Sequence, residues 1–264
     1  MDAGLDATDL EVVHDANNTV VLLPRAGLVG KVATSTLGDR AGADQARELR
    51  IARHLAARGA PIVPPAPAAI AGPHRTPNGA VTFWEHCRDA GEPAGGAVRL
   101  GHALRAVHAA LADVDEELPS LASRLDDAVE LYHDPSATPG LDAQDRRLAA
   151  RVHGGLHTLL VDAGEPRPLH GEPHGGNVVW TANGPRLLDF EAVCSGPSAW
   201  DLAYLPAESL AAFPDADRGL VERFRDAVSF AVAAWCWAQP DGPAVVTEAA
   251  RVHLAALRRS PLGR

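Results

Sequence analysis

Lysine is almost missing from this chain: Lys31 stands alone against 34 acidic residues, and arginine carries the remaining positive charge. The net charge is −10 and no block of Lys and Arg occurs. That excludes the electrostatic footprint of a nucleic-acid or anionic-membrane binder. Cysteine is also sparse. Cys87, Cys194 and Cys236 are odd in number and far apart, so neither a disulfide framework nor a paired-cysteine zinc site is expected. The longest apolar run, 228–238, is too short to span a bilayer. The first residues are acidic and lack a signal-peptide core, so a cytoplasmic location is expected. What is present is a 46% hydrophobic composition over 264 residues, enough for two lobes around a cleft.

Short apolar runs at 10–14, 19–23 and 28–33, broken by Asn- and Gly-containing turns, predict an antiparallel meander. A helix-period segment follows over 43–58, with Leu49, Leu55 and Ala56 on its apolar side and Gly59 and Pro61 as its stop. Another strand is expected at 80–85. Beyond it, apolar residues recur at helical spacing over 98–111, and helices are predicted at 119–132, 142–162, 215–238 and 243–258. His102 and His108 read as structural groups, and Trp235 and Trp237 as core or cleft wall. Lys31 lies inside the third apolar run, where a charge is costly unless paired or ligated. Glu48, on the following helix, is on a face that can reach it.

The densest polar cluster lies in 169–191, LHGEPHGGNVVWTANGPRLLDFE. Apolar runs at 177–180 and 186–190 flank the turn signal Ala182-Asn183-Gly184-Pro185, as in a β-hairpin. Such a hairpin sets Asn177 beside Asp189, with Glu172 on the preceding loop. Hard oxygen ligands of this kind suit Mg²⁺, which leaves room for phosphate oxygens. His170 and His174, four apart with Glu172 between them, allow a zinc-hydrolase reading, but that needs a helix which Gly171, Pro173, Gly175 and Gly176 oppose.

At these residues the chain resembles the aminoglycoside phosphotransferase family. Its usual catalytic loop runs His-Gly-Asp, four residues, Asn, and its metal loop runs Asp, an apolar residue, then Asp or Glu. Here the first is His170-Gly171-Glu172 through Asn177 and the second is Asp189-Phe190-Glu191. Glu172 replaces the usual Asp. The resemblance implies a bilobal protein-kinase-like α+β fold: an N-terminal antiparallel β-sheet lobe with one helix (residues 1–86, nucleotide binding) and a mostly helical C-terminal lobe (87–264, catalysis and substrate). It implies ATP or GTP and Mg²⁺ as cofactors, a small-molecule hydroxyl as acceptor, and an aminoglycoside or other antibiotic as the first acceptor class.

It further implies roles for individual residues. Lys31, held by Glu48, would touch the phosphates, and Asn177, Asp189 and Glu191 would serve the metal. Glu172 would take the acceptor proton while His170 anchors the loop. Asp201 would buttress that loop by accepting backbone hydrogen bonds. Ala16, Asn17 and Asn18 would present turn N–H groups to phosphate in place of a glycine-rich loop. Glu85 and Cys87 fall in the hinge, whose backbone would bind the purine. The second reading is a kinase-like nucleotide-binding protein with weak or absent transfer, because Glu172 is one methylene longer than Asp.

Overall fold

The computed structural model describes residues 5–15, 18–33, 39–76 and 79–263. The strands are β1 (Glu11–Asp15), β2 (Asn18–Leu23), β3 (Leu28–Ala33), β4 (His74–Thr76), β5 (Gly79–Glu85), β6 (Arg167–Leu169), β7 (Val178–Thr181), β8 (Gly184–Leu187) and β9 (Cys194–Gly196). The helices are α1 (Asp39–Ala57), α2 (Gly96–Leu111), α3 (Leu121–His133), α4 (Ala143–Asp162), α5 (Ala199–Ala203), α6 (Arg218–Trp237) and α7 (Ala244–Arg259). This is an α+β, protein-kinase-like architecture. No helix of the described residues is long and apolar enough to cross a membrane.

Two compact units form. The first contains 1–115, 172–193 and 206–212, so it takes in the hairpin and α2 as well as the N-terminal sheet. That sheet has the order β1-β2-β3-β5-β4, antiparallel throughout. Its register sets Lys31 of β3 between Val20 and Thr82. Against it lies α1, whose Leu49, Ile51 and Leu55 are fully buried. On α2 the residues Leu100, Leu104, Val107 and Leu111 are buried, a spacing that follows the helical period. Gly101 is required where α2 meets the 3₁₀ turn Ala207–Ala212: a Cβ there would come within 2.2 Å of the Ser209 carbonyl oxygen.

The hairpin differs from the sequence expectation at its open end, where the ladder stops at Val178 and Leu187 and leaves Asn177 in a 3₁₀ turn and Asp189 beyond β8, and at its loop. Its loop is only Ala182-Asn183, and Gly184 and Pro185 belong to β8. The Thr181 hydroxyl closes this loop by donating to Gly184 O at 2.8 Å and accepting from Asn183 N–H.

The second unit contains 116–171, 194–205 and 213–264. Its core joins Leu125 and Tyr132 of α3, Val152 and Leu156 of α4, and Phe224 and Phe230 of α6. Ser120, Asp142 and Asp217 cap α3, α4 and α6 with side-chain oxygens. Each such cap stabilises by about 1 kcal/mol. These caps explain why helices expected from 119 and 215 begin at Leu121 and Arg218. The Trp235 ring lies under the Arg124 guanidinium, 5.5 Å from its centroid.

Candidate active site

The third strand supplies an interior cation. Lys31 is 8% exposed, and its Nζ lies 3.0 Å from both carboxylate oxygens of Glu48, 2.8 Å from Asp189 Oδ1 and 3.0 Å from Glu191 Oε1. Burial alone would lower the Lys31 pKa, but Glu48, Asp189 and Glu191 together hold it well above the usual lysine range. The reverse strain falls on Glu48, which is pushed up to about 8 by burial and then by Glu191 and Asp189, against the pull of Lys31. One ammonium facing three carboxylates leaves two negative charges in excess when all are ionised.

Two further contacts lock this network. Glu48 Oε1 accepts the Phe190 N–H at 3.0 Å, which ties the segment Asp189-Phe190-Glu191 to α1. Phe190 itself is fully buried, so its ring anchors the segment between the two acids. Asp189 adopts the left-handed conformation at φ 68°, an uncommon and strained state for a residue with a side chain. Asn18 corrects the sequence reading. It is the first residue of β2 rather than part of the turn, and its Nδ2 donates to Glu191 Oε2 at 3.3 Å. The other proposed turn residues, Ala16 and Asn17, lie outside the described residues.

The segment from Glu172 to Asn177 is folded about one carbonyl. Glu172 O accepts the His174 N–H at 2.9 Å and Asn177 Nδ2 at 2.9 Å, which leaves Oδ1 as the acceptor atom of that amide. His174 caps the 3₁₀ turn Gly175–Asn177 by accepting the Gly176 N–H at its Nδ1. Its Nε2 lies 3.8 Å from Glu172 Oε1. Burial lowers the His174 pKa, while the charge on Asp189 acts in the opposite sense. The two loops meet through Leu188 N–H, which donates to Asn177 O at 3.1 Å. No helix carries His170 and His174 together, so the zinc-hydrolase geometry is absent here.

His170 and Gly171, the two preceding residues, are held within the second unit. Their N–H groups donate to the two carboxylate oxygens of Asp201, at 2.8 and 2.9 Å, and all three residues are buried. Trp200 Nε1 donates to Gly171 O at 2.6 Å. Gly171 has φ +93°, a conformation open to glycine and costly for other residues. Trp200 and His174 were missed as contributors by sequence reasoning. The adjacency Trp200-Asp201 was the available signal for the first, and the N-cap position just before Gly175-Gly176 for the second.

At the end of β5 the backbone is partly committed. Glu85 N–H donates to Pro64 O and His86 N–H to Gly27 O. Cys87 is half-buried, and burial raises its thiol pKa against the pull of Arg186.

The donor set fits a hard dication. Carboxylate oxygens of Glu48, Asp189 and Glu191 lie within 4.8 Å of one another, and the excess negative charge they share is what a cation such as Mg²⁺ relieves. All-oxygen chemistry without thiolate or imidazole favours Mg²⁺ over Zn²⁺ at this cluster.

The chain belongs to the phosphotransferase enzyme family, whose model matches residues 11–255. No curated protein sequence matches it. Among solved structures it resembles a choline/ethanolamine kinase family protein from Mesorhizobium loti, with 19% identity and a TM-score of 0.67 over 97% of this chain and 90% of that one. It is also similar to amicoumacin kinase hAmiN in complex with AMP-PNP, Ca²⁺ and Ami, at 13% identity and a TM-score of 0.72 over 98% and 90% of the two chains. A third is the GDP and kanamycin complex of APH(2")-IIia, at 16% identity and a TM-score of 0.68 over 97% and 93%. At these identities the structural likeness establishes the fold.

Proposed function

We propose that this protein moves the γ-phosphate of ATP or GTP to a hydroxyl of a small molecule in a Mg²⁺-dependent reaction. The observation that carries this reading is the buried network of Lys31 with Glu48, Asp189 and Glu191. Phosphoryl transfer asks for positioning and charge neutralisation rather than covalent help from the protein. Asp189 and Asn177 would hold Mg²⁺, with Glu191 in support. Bound there, the ion would neutralise charge on the β- and γ-phosphates.

In the liganded protein, nucleotide phosphates would replace Asp189 and Glu191 as acceptors for Lys31, and Glu48 would keep the ammonium in place. Glu172 would accept the acceptor hydroxyl's proton at a carboxylate oxygen as the new O–P bond forms. His170 would act through loop geometry. At the hinge, with the Glu85 and His86 N–H groups committed to Pro64 and Gly27, the purine would meet the Glu85 carbonyl and the Cys87 N–H. In this division 1–86 binds nucleotide and 87–264 carries catalysis and acceptor.

Aminoglycosides and other antibiotics are the first acceptor class, supported by the net charge of −10 and by the kanamycin and amicoumacin kinase neighbours. Choline-like alcohols come next. Both fit a cytoplasmic enzyme with no nucleic-acid or membrane partner.

Glu172 favours one second reading, a nucleotide-binding protein with weak or no transfer. Its carboxylate sits one methylene further from the backbone than Asp would place it, and a misplacement of about 1 Å can cost about 10²-fold in rate. The test is a screen of these acceptors with ATP or GTP and Mg²⁺, reading nucleoside diphosphate released. Acceptor-dependent release that vanishes in Asp189→Ala supports the enzyme. Turnover that survives Asp189→Ala removes Asp189 from the metal role, and nucleotide binding without transfer to any acceptor favours the second reading.

A further inference from the structure

A second cluster of metal-ligand chemistry lies in the second unit, on α3 and α4. His153 and His157 are four residues apart on α4, so one turn of helix sets both imidazoles on one face. Asp126 reaches them from α3. His153 Nε2 lies 2.9 Å from Asp126 Oδ1 and His157 Nε2 lies 3.6 Å from the same oxygen. All three ligand atoms fall within 4.8 Å of one another. A tetrahedral metal with bonds of about 2.0–2.1 Å holds its ligand atoms about 3.4 Å apart. The two spacings to Asp126 bracket that value, and rotation of the exposed His157 closes the remaining gap.

The rings are already arranged. His153 stacks on Phe230 with centroids 6.0 Å apart and planes at 23°, which fixes its orientation. His157 meets His153 edge-on, with centroids 4.8 Å apart. An ordinary His–Asp hydrogen bond explains His153 alone. It does not explain why a second imidazole nitrogen converges on the same carboxylate oxygen.

We propose that Asp126, His153 and His157 form a surface site for a transition-metal dication such as Zn²⁺, Ni²⁺ or Co²⁺, bridging α3 and α4. Two imidazoles and a carboxylate match these metals and not Mg²⁺. The side chains of Asp126 and His157 are 52% and 57% exposed, so the remaining coordination positions face water and the metal exchanges freely. Bound metal cross-braces the two helices and raises the stability of the folded chain by mass action.

The test is titration of the intact protein with NiCl₂ alone, followed by calorimetry and by thermal melting. The wild type binds one equivalent and melts at higher temperature with metal. Removing an outer-shell partner of a metal site costs about 10–100-fold in affinity, and loss of a direct ligand costs at least as much. His157→Ala therefore weakens binding tenfold or more, abolishes the melting shift and, being a surface change, leaves the metal-free melt in place. Asp189→Asn, which disturbs the other carboxylate cluster, leaves Ni²⁺ binding unchanged. Equal binding by wild type and His157→Ala, a loss that follows Asp189→Asn instead, or no binding by the folded wild type overturns the site.

Discussion

Replacing Asp201 should loosen the catalytic loop at its root. The carboxylate accepts two buried backbone hydrogen bonds, from His170 N–H at 2.8 Å and Gly171 N–H at 2.9 Å, and Asp201 itself is fully buried. A hydrogen bond to a charged group contributes about 1.5–3 kcal/mol, and an unsatisfied buried donor costs a comparable amount. Asp201→Ala orphans both donors and should destabilise by about 3–6 kcal/mol. Set against a typical total stability of about 5–15 kcal/mol, that variant is close to unfolding. Asp201→Asn keeps the shape and one acceptor but turns an NH₂ group toward the other N–H, so about half that loss is expected. Guanidinium titration measures the loss, and amide hydrogen exchange at His170 and Gly171 localises it. Those two amides should be protected in the wild type, and in Asp201→Asn one of them should exchange far faster. A loss below about 1 kcal/mol, with both amides still protected, would refute the claim that Asp201 fastens the loop.

Glu48 predicts a dependence on pH. Its folded pKa, pushed up to about 8, exceeds the ordinary value of 4.5, so the folded chain binds the proton more tightly than the unfolded chain. Stability from this group is therefore present below about pH 4.5 and lost as pH rises toward 8. Lys31, raised above its ordinary 10.5, contributes a constant amount across that window. Half-buried His174 and His253, both lowered, slope the other way near their ordinary 6.5, so the comparison is with Glu48→Gln, in which their slopes persist. Metal-free wild type should lose stability relative to Glu48→Gln from pH 5 to 8, and parallel curves would contradict the shift. Gly171→Ala, at φ +93°, should cost about 1–2 kcal/mol by thermal denaturation, and an unchanged melting temperature would show the loop relaxes freely. Glu172→Asp should keep or raise turnover if Glu172 is the base; a dead variant with intact nucleotide affinity would mean the loop is built around the longer side chain.

The phosphotransferase motifs were legible because their chemistry sits in local spacing. The distance from Glu172 to Asn177 and the hairpin to Asp189 can be read along the chain. Lys31 declared itself as a charge inside an apolar strand, and Glu48 as an acid one helix later. Asn18 was misread because a strand beginning one residue earlier moves it from a turn into the ladder, where its amide meets Glu191. The three-residue strands β4, β6 and β9 are too short to display a period of two. The adjacency of Trp200 to Asp201 and the four-residue spacing of His153 and His157 are local signals, but the partners they meet, Gly171 and Asp126, are set by tertiary packing that no local pattern encodes.

The most direct test of the central claim is a thermal-shift titration of ATP and GTP, with and without Mg²⁺, on the wild type and on Asp189→Ala. A Mg²⁺-dependent rise in melting temperature with at least one nucleotide, absent in Asp189→Ala, is the predicted result. No shift with either nucleotide, or an equal shift in both proteins, would contradict a nucleotide–metal site at Lys31, Asn177 and Asp189.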